Sequence, residues 1–132
     1  MQSVQCSACA KAQNNSRRLG VDHAGVKAMV RLLSEGLVWI KLSGLANISD
    51  LSPTYDDARS LHEVLLAANP EQLVWGSDWP HTKPAPAPTT RPDTAALLRL
   101  FHEWTPRDAD RRRMLTLNPM RLYGLRAAPA TA

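Results

Sequence analysis

The chain lacks most of the features that mark a specialised environment. No apolar run is long enough to span a bilayer, so no membrane partner is expected. Met1-Gln2-Ser3-Val4-Gln5 has neither the charged nor the apolar region of a secretory signal. The expected location is the cytoplasm. Cysteine is scarce, occurring only at Cys6 and Cys9. Their spacing matches a redox or zinc half-site, but no strand precedes them and no second ligand pair stands nearby. They read as two free thiols in a loose tail. No internal repeat is found. No two of the histidines, His23, His62, His81 and His102, are separated by a single residue.

What is present is a modest positive balance. The net charge of +4 owes most to arginine, with Arg17-Arg18 and Arg111-Arg112-Arg113 the densest clusters. No aromatic residues interleave with them and no recognition motif accompanies them, so no nucleic-acid partner is expected. Successive residues on a helix point about 100° apart. At least one of Arg111, Arg112 and Arg113 therefore faces solvent as an ordinary surface charge.

A length of 132 residues suits one small domain with one core. Residues 1–19 are polar and unpatterned, 20–126 carry the regular patterning, and 127–132 form a short tail. Asp22 to Glu35 reads as a helix with Val26, Met29, Val30 and Leu33 on one face, Asp22 as N-cap and Gly36 as stop. Leu37 to Leu42 reads as a buried strand of the parallel kind. Residues 45–54 read as a loop. Asp56 to Ala68 reads as a second helix with Leu61, Val64, Leu65 and Ala68 inward. Leu73 to Gly76 is the second strand, and the one crossover helix between the strands makes the pair parallel. Four prolines, Pro84, Pro86, Pro88 and Pro92, force an extended loop. Asp93 caps a third helix with Leu97, Leu98, Phe101 and Trp104 inward. Pro106 opens a fourth holding Met114 and Leu115, and Asn118-Pro119 begins a last turn of helix.

The most informative stretch is Leu73-Val74-Trp75-Gly76-Ser77-Asp78-Trp79-Pro80-His81. A packed strand ends abruptly in a polar cluster. Gly76 permits a close approach by a neighbour, and Pro80 stops the ladder. A carboxylate and an imidazole three residues apart at a strand end suit the active face of an α/β enzyme. The stretch resembles the last-strand signature of the amidohydrolase-related, metal-dependent hydrolase family, in the branch containing 2-pyrone-4,6-dicarboxylate lactonase. The resemblance runs from about Gly20 to Leu125 and includes three further segments. Val38-Trp39-Ile40-Lys41-Leu42-Ser43-Gly44 is similar to the penultimate strand. Asn69-Pro70-Glu71-Gln72 is similar to the lead-in to the last strand, and Asn118-Pro119-Met120-Arg121-Leu122-Tyr123-Gly124 to the closing helix.

The resemblance implies an α/β fold, the C-terminal part of a (β/α)8 barrel, with about two parallel strands and four or five helices. A whole barrel takes roughly 250 residues. It also implies that Asp78 is the general base acting on the hydrolytic water and, in metal-containing members, a metal ligand. His81 is placed to orient Asp78 or to contact substrate. By alternation Trp39, Lys41 and Ser43 share one face. Lys41 then needs a carboxylate partner or a substrate anion, and a structural ion pair is the preferred reading. Lys41, Ser43, His81 and Asn47 are the candidate substrate-binding residues. Ala46 and Asn47 stand where many relatives with acidic substrates carry an aromatic residue and an arginine. That departure weighs against a dicarboxylate lactone as substrate.

Asp22-His23-Ala24-Gly25 imitates the family's metal-side histidine motif, but only 17 residues lie between His23 and Lys41. His23 reads as a helix start instead, and His62 and His102 as surface or boundary residues. The histidine pair that anchors the metal in the family is absent. Asp78 with one histidine does not reach the three ligands of a catalytic zinc site. A divalent metal, zinc or manganese, is therefore expected of the full-length family and not of this chain.

The function expected is hydrolysis of a lactone, ester or amide-like bond in a small organic substrate, by a truncated chain that is inactive alone. One alternative is a non-catalytic remnant acting in subunit association. The other is a small basic nucleic-acid-binding module. A half-barrel leaves sheet edges unpaired and side chains such as Val38, Ile40 and Val74 only partly covered. A homo-oligomer is accordingly anticipated.

Overall fold

A computed structural model describes residues 20–49, 51–81 and 91–125. The expectations for Cys6, Cys9, Arg17, Arg18 and most of the proline loop lie outside these residues. Helix α1 spans Ala24–Ser34. Its N-cap is His23 rather than Asp22, because the His23 ring nitrogen Nδ1 accepts a hydrogen bond from Gly25 N at 3.2 Å. Gly36, at φ +74°, provides the left-handed exit that ends the helix. Val26 and Leu33 are buried, and Met29 and Val30 pack against the core, as their spacing predicts.

Strand β1 is Ile40–Leu42, shorter than the apolar run suggests. The expected loop after it begins instead with a short helix, α2, at Leu45–Ile48. Gly44 makes this possible with φ +71°, which turns the chain sharply into the helix. A 3-10 turn at Asp56–Ala58 runs into α3, Arg59–Ala68. Another at Pro70–Gln72 leads into β2, Leu73–Trp75. Helix α4 covers Thr94–Trp104. Its N-cap Asp93 accepts from Ala95 N and Ala96 N at 3.0 and 3.2 Å, an arrangement worth about 1 kcal/mol. Then come α5, Asp108–Arg112, a π-helical segment at Arg113–Leu117, and α6, Asn118–Tyr123.

The two strands are adjacent and parallel, with Ile40 opposite Leu73, Lys41 opposite Val74 and Leu42 opposite Trp75. This register divides the sheet into two faces. Ile40, Leu42, Leu73 and Trp75 point to the side covered by helices, where Leu33, Leu65, Phe101 and Met114 complete the core. Lys41 and Val74 share the opposite face. Coverage exceeds what a half-barrel argument allows. Ile40 is 4% exposed and Val74 2%. For Ile40 the reason is that alternation turns it towards the helices. Val38 is only partly buried, as expected. A second cluster, Ile48, Tyr55, Ala58, Leu97 and Trp104, packs beside the first.

The base of the sheet is closed by amide side chains. Asn118 Nδ2 donates to Pro70 O at 2.8 Å and Leu73 O at 2.6 Å. Gln72 Nε2 donates to Gly36 O at 3.0 Å, and Asn69 Nδ2 to Leu33 O at 3.1 Å. Asp110, also buried, is held by Arg107 Nε at 2.6 Å and Arg113 at 3.1 Å. Arg113 also reaches Glu71 at 2.8 Å, and Arg112 faces solvent. Arg111 donates to Thr105 O and Pro106 O and pairs with Asp108. The arginine cluster is thus largely a structural clasp.

Candidate active site

The C-terminal ends of both strands carry the polar cluster. Gly76 N bonds to Leu42 O at 3.2 Å, so pairing continues one residue past β2. The chain then leaves the sheet through Ser77 and Asp78. Asp78 is half-buried with φ +64°, a region where non-glycine residues are uncommon and Asp and Asn best tolerated. His81 N donates to Asp78 O at 2.8 Å, closing a tight turn whose Trp79–Pro80 bond is cis. Trp79 N is bonded to Ser77 Oγ at 3.2 Å, and its side chain is 77% exposed.

Asp78 and Asn47 are brought together. Asn47 Nδ2, on α2, donates to Asp78 Oδ2 at 3.2 Å. The packing depends on Gly44. A Cβ there would lie 2.9 Å from Asn47 Nδ2 and 3.4 Å from Asp78 Oδ2. The turn that starts α2 therefore also makes room for the amide–carboxylate contact. The His81 ring meets a different partner, with Nε2 3.5 Å from Thr94 Oγ1 at the start of α4. Ser43 follows β1 and is half-buried beside the same mouth.

Lys41 is exposed and has no ion pair among the described residues, contrary to the preferred expectation. Lys41 is exposed, although Val74 on the same face is 2% exposed, so its ammonium is not buried deeply enough to require a carboxylate. Its stem crosses Gly76: a Cβ on Gly76 would fall 2.4 Å from Lys41 Cε and 3.3 Å from Nζ. Gly76 does admit a close neighbour, and the neighbour is a lysine side chain.

His62 lies in the interior rather than at the surface or boundary. It is 7% exposed, with Nε2 2.9 Å from Thr105 Oγ1 and edge-on contacts to Phe101 and Trp104. Its spacing from Ala58 and Leu65, both buried, places it on the inward stripe of α3 and was a readable signal. Burial pushes its pKa down to about 4. His62 borders a cavity of about 60 Å3 between the sheet, α3 and α4. Lys41, Ser43, Gly44 and Gly76 line the same cavity at the strand ends, and it is smaller than the roughly 300 Å3 usual for small-molecule sites. His102 is exposed, as expected.

Among the described residues, the donor set at the mouth falls short of a divalent-metal site. One Asp78 oxygen already accepts an amide hydrogen from Asn47. No group of three His, Cys, Asp or Glu side chains converges among the described residues. His23 is engaged in capping α1. A catalytic zinc site needs about three protein ligands.

Residues 9–125 match the sequence profile of the amidohydrolase family. This chain belongs to the amidohydrolase family. It is 36% identical over 105 residues to a 4-sulfomuconolactone hydrolase of Hydrogenophaga intermedia, covering 80% of this chain and 34% of the relative. It is 34% identical over 110 residues to a D-galactarolactone isomerase of Agrobacterium fabrum, covering 83% and 37%. A crystal structure of a putative 2-pyrone-4,6-dicarboxylic acid hydrolase from Pseudomonas putida superimposes with a TM-score of 0.68 at 27% identity, covering 85% of this chain and 40% of that one. The chain thus spans little more than a third of the length of these amidohydrolase relatives. Its fold is α/β, a two-stranded portion of the family's (β/α)8 barrel. No helix among the described residues is long and apolar enough to cross a membrane.

Proposed function

We propose that the chain supplies the Asp78 end of an amidohydrolase active site that opens a lactone ring with water. The observation carrying this reading is the Asp78–Asn47 pair at the strand ends, at 3.2 Å. Asn47 donates to Oδ2 and so fixes the carboxylate plane. Oδ1 is left to accept a proton from water attacking the lactone carbonyl. The ring oxygen then leaves with a proton, giving a hydroxy acid. Ser43 and His81, at the same strand ends, are the substrate contacts in this reading. The sulfomuconolactone hydrolase and galactarolactone isomerase likenesses support a small lactone as the substrate class.

The decisive experiment is a graft. Residues 20–125 replace the matching third of the sulfomuconolactone hydrolase, and lactone hydrolysis is followed. Activity in the graft, lowered by about three orders of magnitude in Asp78→Asn, is the expected result for loss of a general base. A graft indifferent to Asp78→Asn would remove the proposal. The 132-residue chain alone is expected to turn over little, since two strands cannot enclose a substrate. It is also expected to self-associate, because among the described residues no third strand pairs with either outer edge of the sheet. A sharp monomer in sedimentation at high concentration would contradict that.

A further inference from the structure

We infer that Lys41 is the anion-binding residue of this site, with Gly76 as its positioning residue, and that it takes the carboxylate or sulfonate of an organic acid. The inference deepens the lactone reading and rests on it for the identity of the site. Three observations carry it. Lys41 is a strand residue on the face away from the helices, exposed and without an ion pair among the described residues. A cation fixed to a strand yet unpaired is available to a ligand. Next, its stem is steered. Cε occupies the place of the missing Gly76 side chain, at 2.4 Å from an ideal Cβ. The ammonium is thereby drawn across β2 to a point two residues before Asp78. Gly76 is not needed for a left-handed turn, since the glycines with positive φ are Gly20, Gly36, Gly44 and Gly124. The space it leaves to Lys41 is what the structure uses. Last, Asn47 is hydrogen-bonded to Asp78, and an amide carries no charge to offer an anion. Lys41 is thus a cation beside Asp78 that this chemistry can use.

The two ends of a substrate are thereby separated by charge. An anion meets Lys41, while the uncharged lactone carbonyl lies towards Asp78, where an anion would be repelled. A single ammonium is a point charge with rotatable donors. It accepts a flat carboxylate or a tetrahedral sulfonate alike, whereas an arginine fork favours planar, bidentate groups.

The test uses the whole chain, labelled with 13C and titrated with malonate or with methanesulfonate at constant ionic strength, reading the Lys41 Cε resonance. A saturable shift is expected with either anion. Lys41→Gln, at an exposed position, should abolish saturable binding while leaving the amide spectrum folded. Gly76→Ala should keep the fold, because the atom displaced is the end of a flexible side chain, and weaken binding about fivefold, the equivalent of one exposed charge contact. Asp78→Asn should leave binding intact or tighten it, although it removes hydrolysis in the graft. Failure of the graft with anion binding retained would discard the lactone reading and keep the subsite. Equal anion affinity in the wild type and Gly76→Ala, or saturable binding surviving in Lys41→Gln, would overturn the inference.

Discussion

The two ends of one short sheet are built on opposite principles. At the base, Asn118, Gln72 and Asn69 direct their amide hydrogens onto backbone carbonyls of Pro70, Leu73, Gly36 and Leu33, and the polar groups satisfy one another inside the protein. At the mouth, Asp78 Oδ1 and Lys41 have no partner among the described residues, and Asp78 and His81 hold positive φ angles. Polar chemistry at the base holds the strands in register. Polar chemistry at the mouth is left incomplete, which is the condition for meeting a ligand. In barrels of this kind the strand C-termini do the catalysis and the opposite end the holding.

The contrast makes the base costly to alter and the mouth cheap. The largest effect is expected for Asn118→Ala, which strips a donor from the buried Leu73 carbonyl and the part-buried Pro70 carbonyl. A loss of about 3 kcal/mol in urea unfolding is anticipated, at about 1–3 kcal/mol per unsatisfied group. A loss under about 1 kcal/mol would mean that water replaces the amide and that the base is no clasp.

Acidification should give a comparable effect through His62. Its folded pKa of about 4 lies below the ordinary 6.5, so the unfolded chain takes up the proton first. Stability from this group is complete above pH 6.5 and falls as pH drops towards 4. The ceiling is about 3 kcal/mol, from roughly 1.4 kcal/mol per pKa unit. Comparing urea midpoints at pH 7 and pH 4.5, with His62→Gln as the control, checks it. An unchanged pH slope in His62→Gln would assign the acid sensitivity elsewhere.

Asn47→Ala is expected to cost about 1 kcal/mol, the worth of one partly exposed hydrogen bond, and to broaden the Asp78 side-chain resonances as the carboxylate loses its anchor. Sharp, unshifted resonances would show that Gly44 and the turn alone fix it. The smallest effect is expected for Asp78→Asn, within about 0.5 kcal/mol, because asparagine tolerates the left-handed backbone equally well. A stabilisation well beyond that would sharpen the contrast, marking Asp78 as a residue retained at the expense of stability.

The core stripes and the strand pairing were legible because each depends on local period. Val26 and Leu33, Leu97 and Phe101 repeat at helical spacing and are buried together. The short α2 was not, since it depends on Gly44 turning left-handed, which no apolar period records. His62 was misread by residue type when its spacing pointed inward. At the site, Asp78 was legible from the strand that delivers it. Asn47 as its partner was not, because the hydrogen bond joins residues 31 positions apart. Among the described residues Lys41 has no ion pair, because alternation places a residue on a face and does not tell how far along its side chain the burial extends.

The π-helical segment at Arg113–Leu117 sets the phase of everything after it. A widened turn holds one residue more than an α-helical turn, and each residue advances the helix by about 100°. Removing a single residue there would restore an ordinary α-helix without shortening any other element. It would also rotate Asn118 by more than a quarter turn, away from the carbonyls of Pro70 and Leu73 that it now bridges. Arg121, whose guanidinium carbon lies 5.6 Å from the Trp39 ring centre, would swing with it. The lower end of the barrel strand is thus aligned by a counting irregularity in a distant helix, much as a keyway fixes the angle of a shaft.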